Sequence, residues 1–404
     1  MGKSKSSKPK GNGRPAADKK PPGCYVLSLS VENVRCFGPK QTLDCSDGNG
    51  RPRQWTVILG DNGTGKTTLL HTLGSSTYLS HSSLDEFLTV RSSSNQATYS
   101  VELCAAYQLP EPDYYFSLTS RTKLISNGQR EYHAWVQERR QNDGRETDRV
   151  VFGYGANRQS PRYYWDRKPT DMVSGLESLL DGRPEFTDAE RWLVELDYQE
   201  SKSEVPSGFS RFSQIQALLG QVLPDVSDVR CVPGMGVIPR ARVEFLTPYG
   251  WVPLRQLGHG YQTMIAWVVD FVSRMVEQYP DSENPLAEPA VCLVDEIDLH
   301  LHPVWQRKVI GYLSERFPNT QFIVTAHSPL VVQAAASADA NIAVLVRSTE
   351  KDAGGNHYVE IRNNPEDVRN WRLDQILTSD LFGGIDLRSV ETEKLFARKR
   401  ELLA

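Results

Sequence analysis

Paired cysteines are missing from this sequence. Its six cysteines (Cys24, Cys36, Cys45, Cys104, Cys231 and Cys292) are scattered through 404 residues with no Cys-x-x-Cys spacing. That excludes a disulfide scaffold, offers no zinc site and fits a reducing cytoplasm. A long apolar run is missing too. A bilayer-spanning helix needs about 20 apolar residues, whereas stretches such as Met264–Phe271 are interrupted by Asp270 and Arg274, so no membrane partner is expected. Residues 1–23 lack the apolar segment of a secretory signal. Neither internal repeats nor sustained heptads stand out, so no long coiled coil is expected. What is present is ordinary for a globular chain: 39% hydrophobic and 24% charged residues, enough for a sizeable core in one large or two average domains.

The net charge of −4 gives no sign of a nucleic-acid-like surface, but it averages two unlike parts. Seven basic residues within 1–23 face only Asp18, which leaves the leader at +6 and the remainder at −10. The leader reads as disordered. Alternation over Tyr25–Val34 predicts a strand, and Trp55–Leu59 predicts a short buried one that stops at Gly60 before a helix. Several strand-like runs between about 97 and 155, the last at Arg149–Gly153, predict an antiparallel β subdomain. Helical spacing over about 172–222 predicts an inserted helical lobe, and Val229–Val252 returns to strands. From Tyr261 onward helices and strands alternate (strands Ala290–Val294, Gln321–Thr325 and Ile342–Val346; helix Pro303–Phe317), the mark of a parallel sheet wound with helices. Residues 348–404 read as an extension with two helices, at Trp371–Thr378 and Ser389–Leu403.

The strongest chemical signal is Gly60-Asp61-Asn62-Gly63-Thr64-Gly65-Lys66-Thr67, a full P-loop pattern between a strand and a helix. Glycines let successive backbone N–H groups curl around phosphate oxygens, and the helix N-terminus adds positive potential. Lys66 is placed to reach the β- and γ-phosphates, Thr67 to put its hydroxyl on Mg2+, and Thr68 to touch the α-phosphate side. A second element, Val291–Val294 followed by Asp295-Glu296, sets two carboxylates at a strand end, where open α/β sheets bind ligands. Asp295 suits Mg2+, and Glu296 suits the orientation and deprotonation of an attacking water. His300-x-His302 in Asp298–Pro303 fits either a metal clamp or, with no third ligand cluster in view, a loop leading into the Pro303 helix; the loop is the reading adopted. His327, at the end of the next strand, is well placed to sense a γ-phosphate.

In this order the P-loop, the acid pair, Asp-Leu-His-Leu-His-Pro (298–303) and Thr-Ala-His-Ser-Pro (325–329) resemble an ABC-type ATPase. More narrowly they resemble the RecF/SMC-like branch that includes the overcoming-lysogenisation-defect ATPases. Val31–Gly38 is similar to that family's first strand and turn, near the nucleotide base, which implies Asn33, Arg35 and Phe37 as nucleotide contacts. Phe152–Arg158 also resembles a family segment, and the likeness covers about residues 25–347. It implies an α/β P-loop fold with a mainly parallel sheet and helices on both faces, with ATP and Mg2+ bound by residues 24–347. It also implies a head-to-head homodimer, as a unit of any higher oligomer, in which a signature loop completes the partner's site. The matching segment is Leu257-Gly258-His259-Gly260-Tyr261-Gln262.

Gly258 stands where the family pattern has serine, so one γ-phosphate donor is lost. Removing one transition-state donor costs ~10²–10³ in rate, which leaves slow turnover or a nucleotide-locked dimer. The family's Mg2+-linked glutamine has no clear counterpart, Gln108 being only the nearest choice. Beyond His327, 77 residues remain without an Asp-x-Asp set, so a nuclease is expected on a separate polypeptide. Trp371–Leu377 with Asp380–Gly383 is similar to tails of ATPases in Septu and retron-linked phage-defence systems, which pair an ATPase with an HNH nuclease; among relatives Toprim nucleases also occur. An effector of either kind is the expected partner. A nucleic acid contact is suggested by Arg158–Lys168, which interleaves cations with rings, and by the leader; a solvated loop and a solubilising tail are the alternatives. Three readings stay open: a defence ATPase, a RecF/SMC-like repair ATPase, and a scaffold stabilised by nucleotide.

Overall fold

A computed structural model describes residues 23–77, 96–106, 118–125, 130–135, 150–156, 175–180, 186–202, 210–223, 225–234 and 241–389, with isolated positions at 94, 391, 392, 394, 395 and 398. In chain order the first half comprises β1 (Gly23–Glu32), β2 (Gln41–Asp44), β3 (Trp55–Gly60), α1 (Lys66–Thr77), β4 (Gln96–Ala106), β5 (Leu118–Ile125), β6 (Arg130–Trp135), β7 (Val151–Tyr154), α2 (Glu177–Leu180), α3 (Ala189–Lys202) and α4 (Arg211–Val222). The second half adds β8 (Asp228–Val232), β9 (Arg242–Thr247), β10 (Gly250–Pro253), α5 (His259–Gln278), β11 (Ala290–Val294), α6 (Pro303–Gln306), α7 (Val309–Arg316), β12 (Thr320–Thr325), α8 (Pro329–Ser337), β13 (Asn341–Lys351), β14 (His357–Asn363) and α9 (Leu373–Thr378).

A six-stranded sheet in the order β14-β13-β3-β12-β11-β7 positions the site. Its pairings are parallel except β13 with β14. β3, β11 and β12 are apolar runs buried along their length, as strands covered on both faces must be. Alternation then divides their side chains between two cores. Trp55, Val57, Leu59, Cys292, Val294, Phe322 and Val324 face one core with α5 and α8, whereas Ile58, Val291, Leu293 and Ile323 face the other with α1, β1 and β4. That second core is closed by an antiparallel sheet, β2-β1-β4-β5-β6. Gln321, fully buried on β12, stitches the two sheets: its amide accepts from the Val26 N–H and donates to the Val26 carbonyl, each at 2.8 Å.

α5 is apolar nearly all round from Met264 to Met275, and it is correspondingly enclosed. Its one buried acid, Asp270, is fully partnered. It accepts from the Tyr154 hydroxyl at 3.0 Å, the Thr187 N–H at 2.7 Å and Arg274 Nε at 2.7 Å. Those bonds tie the helix to β7 and to the approach to α3.

The mainly parallel α/β fold with an antiparallel β subdomain and a helical lobe (α3, α4) stands as expected, with three corrections. The strand at Val151–Tyr154, expected among the antiparallel strands, instead pairs parallel with β11; Phe152 and Tyr154 are apolar anchors for α5, and that packing assigns the strand to the other sheet. The parallel sheet does not end near 347, because β13 continues to Lys351 and turns back as β14, a strand the sequence reading left out. The helix expected over Pro303–Phe317 is two pieces, α6 and α7. The basic leader, most of the C-terminal segment beyond 389, Gln108 and Arg158–Lys168 lie outside the described residues.

Candidate functional site

The P-loop leaves β3 at Gly60, whose φ of 146° suits glycine alone; a Cβ there would lie 2.7 Å from Thr64 Oγ1 and 2.8 Å from the Leu345 carbonyl oxygen. At Gly65, φ 92°, a Cβ would lie 2.4 Å from Cys36 Sγ and 3.1 Å from the Phe37 ring. The loop is held shut by Thr64, which donates through Oγ1 to the Asp61 carbonyl at 2.8 Å, and α1 begins at Lys66. Lys66 is buried and folds onto the loop, with Nζ donating to the carbonyls of Gly60 at 2.7 Å and Asp61 at 3.0 Å. Desolvation holds its pKa below the usual lysine value, against the opposing pull of Asp295, Glu296, Asp61 and Asp298. Asn62 and Gly63 are exposed at the loop tip, and Thr68 is buried in the first turn of α1.

The acid pair meets this loop through hydroxyls. Thr67 Oγ1 donates to Asp295 Oδ2 at 2.7 Å, a bond that spans 228 positions of sequence. Asp295 Oδ1 accepts from Thr325 Oγ1 at 2.6 Å, and that hydroxyl in turn accepts the Glu296 N–H at 2.6 Å. Glu296 has left-handed backbone, φ 51°, which is strained for a non-glycine residue. One carboxylate is therefore held against Thr67, while the next residue, half-buried, is anchored by its backbone N–H at the strand end. Thr67 and Asp295 form a hard oxygen donor set of the kind Mg2+ takes alongside phosphate oxygens and water. Among the described residues no group of three or more His, Cys, Asp or Glu side chains could hold another metal. Thr325 was missed by the sequence reading; its only signal was its place at the end of the strand before His327.

His327 follows β12 with its side chain exposed, and its N–H donates to Asp298 Oδ2 at 2.9 Å. Asp298 is nearly buried, and its Oδ1 has no hydrogen-bond partner. The His-x-His segment is the loop it was expected to be. His302 caps α6, with Nδ1 accepting from the Val304 N–H at 3.4 Å, and the His300 ring meets the His259 ring edge-on at 4.9 Å.

That last contact ties the signature segment to the acid loop. Gly258 is the N-cap of α5 and has no side chain with which to cap it, while Leu257 is buried and accepts from Gln262 Nε2 at 2.7 Å. Gly260 passes so close to the loop that a Cβ would lie 2.4 Å from the His300 carbonyl oxygen. Tyr261 packs edge-on against Trp305 of α6. Arg255, just before the segment, pairs with Glu190 of α3 at 2.9 Å and so ties the helical lobe to it.

Of the base contacts implied by resemblance, Asn33 and Arg35 have left-handed backbone at φ 55° and 48°, with Asn33 half-buried and Arg35 exposed. Phe37 differs. It is fully buried and packs beneath Gly65, so its ring supports the P-loop and presents no face to a base. No disulfide joins the cysteines among the described residues, and burial pushes the Cys45, Cys104 and Cys231 thiols up to about 12, which leaves them unreactive.

Two sequence profiles match the chain on either side of the helical lobe. One, described as "AAA domain", covers residues 28–149; the other, described as "AAA domain, putative AbiEii toxin, Type IV TA system", covers residues 240–333. The chain is 26% identical over 347 residues to the protein named "Retron Vc95 probable ATPase" of Vibrio cholerae serotype O1 biovar El Tor, an alignment that takes in 69% of this chain and 66% of that one. It is 49% identical over 174 residues to "Retron Ec83 probable ATPase" of Escherichia coli (41% of this chain, 31% of that one). It is 27% identical over 258 residues to "Septu protein PtuA" of Bacillus mycoides strain KBAB4 (63% and 32%). The chain thus matches under two thirds of these relatives' lengths, and about a third of the last two. Among solved structures, an Smc head bound to the C-terminal winged-helix domain of ScpA aligns at a TM-score of 0.48 and 14% identity, over 84% of this chain and 98% of that one. The P-loop on its parallel sheet, Asp295 bonded to Thr67 and the sequence likeness agree: the chain has a P-loop NTPase-type α/β fold and is similar to AAA domains and to the ATPases named for retron and Septu systems.

Proposed function

We propose that the chain hydrolyses ATP slowly in the cytoplasm, dimerises head to head when it binds ATP, and regulates a separate effector, an HNH or Toprim nuclease, in antiviral defence. The observation that carries the enzymatic part is the hydrogen-bond chain Thr67–Asp295–Thr325–Glu296, which fixes one carboxylate at the P-loop threonine and anchors the backbone N–H of its neighbour at the same strand end. Mg2+ bound at Thr67 and Asp295 would neutralise charge on the β- and γ-phosphates. Lys66, now donating to Gly60 and Asp61, exchanges these carbonyls for phosphate oxygens, which are stronger acceptors. Glu296 orients a water in line with the γ-phosphate and takes its proton as the bond to ADP breaks. His327, its backbone held by Asp298, donates to the departing phosphoryl oxygens.

The signature segment Leu257–Gln262 lies at the start of α5 and is offered to a second copy's site, with backbone N–H groups in place of the absent serine hydroxyl. Loss of one such donor costs ~10²–10³ in rate, hence the slow turnover. The defence setting rests on the similarity to retron and Septu proteins, and the separate nuclease rests on the resemblance of the C-terminal segment around Trp371–Gly383. The uncapped Gly258 also favours a second reading, in which the bound nucleotide stabilises a scaffold and hydrolysis is incidental.

Phosphate release by wild type and Glu296→Gln, with sedimentation in the presence of ATP and Mg2+, tests this. Slow release that the substitution abolishes, with ATP-dependent dimers trapped by it, is expected. Tight retention of ATP with equal background release by both proteins would refute hydrolysis and leave the scaffold. Co-purification of an HNH or Toprim protein encoded next to this chain is the expected result for the partner, and a neighbouring permease or recombination protein would overturn it.

A further inference from the structure

The nucleotide site is short of positive charge. Four carboxylates, Asp295, Glu296, Asp61 and Asp298, act on the single ammonium of Lys66, and a triphosphate adds further negative charge. The signature position, Gly258, offers no side chain to compensate. One cation stands on the opposite flank. β13 runs parallel to β3 with Leu345 beside Gly60, so close that a Cβ on Gly60 would lie 3.0 Å from Leu345 Cβ. Side chains alternate along a strand, so Arg347 leaves β13 on the same face as Leu345, one pleat nearer the P-loop tip. There its Nη2 donates to the Asn62 carbonyl at 3.4 Å.

That bond is long and its acceptor is neutral, so it holds the side chain weakly. Arg347 is exposed and has no ion pair among the described residues. A guanidinium carries five donors in a planar fork that fits phosphate oxygens in pairs. β13 borders β3 on the side away from β12 and β11, so Arg347 and the strand ends carrying Glu296 and His327 lie on opposite sides of β3. Asn62 precedes Gly65–Thr68, whose backbone N–H groups cradle the inner phosphates while the Lys66 side chain reaches outward to the γ-phosphate, and so borders the outer end of the phosphate chain.

We propose that Arg347 is a binding residue for the terminal phosphate, and that it makes this site distinguish a nucleoside triphosphate from a diphosphate. The proposal rests on the P-loop reading above and adds a residue to it. Affinities for ATPγS and ADP, measured by calorimetry on the full chain with Mg2+, test it. A charge-assisted bond to phosphate is worth about tenfold or more in affinity. Arg347→Ala should therefore weaken ATPγS by about that factor while ADP changes by less than about twofold. Equal weakening of both nucleotides, or no change for ATPγS, would overturn the assignment. Lys66→Ala separates the two levels. If it loses both nucleotides while Arg347→Ala is silent, only the Arg347 role falls; if it binds both like wild type, the P-loop reading itself falls.

Discussion

Replacement of Thr325 by valine removes one hydroxyl and almost no volume. The residue is fully buried, so valine fits without opening a cavity, and the effect isolates two hydrogen bonds. One is charge-assisted, from Thr325 Oγ1 to Asp295 Oδ1 at 2.6 Å; the other, at 2.6 Å, takes the Glu296 N–H. A bond to a charged group is worth about 1.5–3 kcal/mol and a neutral one about 1. Part of this is recovered by neighbouring groups, so Thr325→Val should lower unfolding free energy in urea by about 2–3 kcal/mol. The functional cost has a separate origin. Glu296 is held at φ 51°, a conformation that costs about 1–3 kcal/mol for a non-glycine residue, and its N–H bond to Thr325 helps to hold it there. Released, the backbone relaxes and carries the carboxylate away from its position; a displacement of about 1 Å costs on the order of 10²-fold in rate. Steady-state phosphate release should fall by at least about tenfold, while nucleotide affinity stays within about twofold. Thr325→Ser keeps both bonds and should behave as wild type. Wild-type turnover in Thr325→Val, or equal damage in Thr325→Ser, would refute the reasoning.

Gly65→Ala should weaken nucleotide binding by more than about tenfold, because a Cβ at φ 92° would meet Cys36 Sγ at 2.4 Å; calorimetry with ADP checks it. Asp270→Ala removes the buried carboxylate that pairs with the half-buried Arg274 and costs the Tyr154 and Thr187 bonds as well. Its expected loss is about 3–5 kcal/mol in urea unfolding, and a loss under about 1 would contradict it. For His71, burial holds the imidazole pKa below its ordinary value of 6.5, with Asp295 opposing and Arg35 assisting. The unfolded chain therefore takes up this proton first as pH falls. The contribution is fully present above about pH 6.5 and is lost progressively below it. Urea midpoints at pH 7.5 and 5.5, without nucleotide or metal, should show a smaller drop in His71→Asn than in wild type.

The P-loop turn was legible because it is local. Eight contiguous residues from Gly60 to Thr67 specify a turn that only glycines can make and then begin a helix, with no information needed from elsewhere in the chain. The acid pair was legible for the same reason, since an apolar run ending in Asp295-Glu296 reads as a strand end in any context. The segment Leu257–Gln262, expected ahead of a helix, leads into α5.

What the tertiary structure decided is which strands lie side by side. β7 follows the antiparallel strands in sequence, yet it packs under α5 and pairs with β11. Phe37 carries a ring that sequence likeness would give to a base, yet the close approach of Gly65 buries it. Thr325 and Arg347 enter the site because β12 and β13 flank β3, in a register that only the crossovers fix. Sequence by itself determined that this chain carries a full P-loop motif and two adjacent acids. Their meeting across 228 positions, and the residues that brace them, came from packing, because a hydrogen bond of 2.7 Å depends on the register of strands distant in the chain and no local pattern records that register.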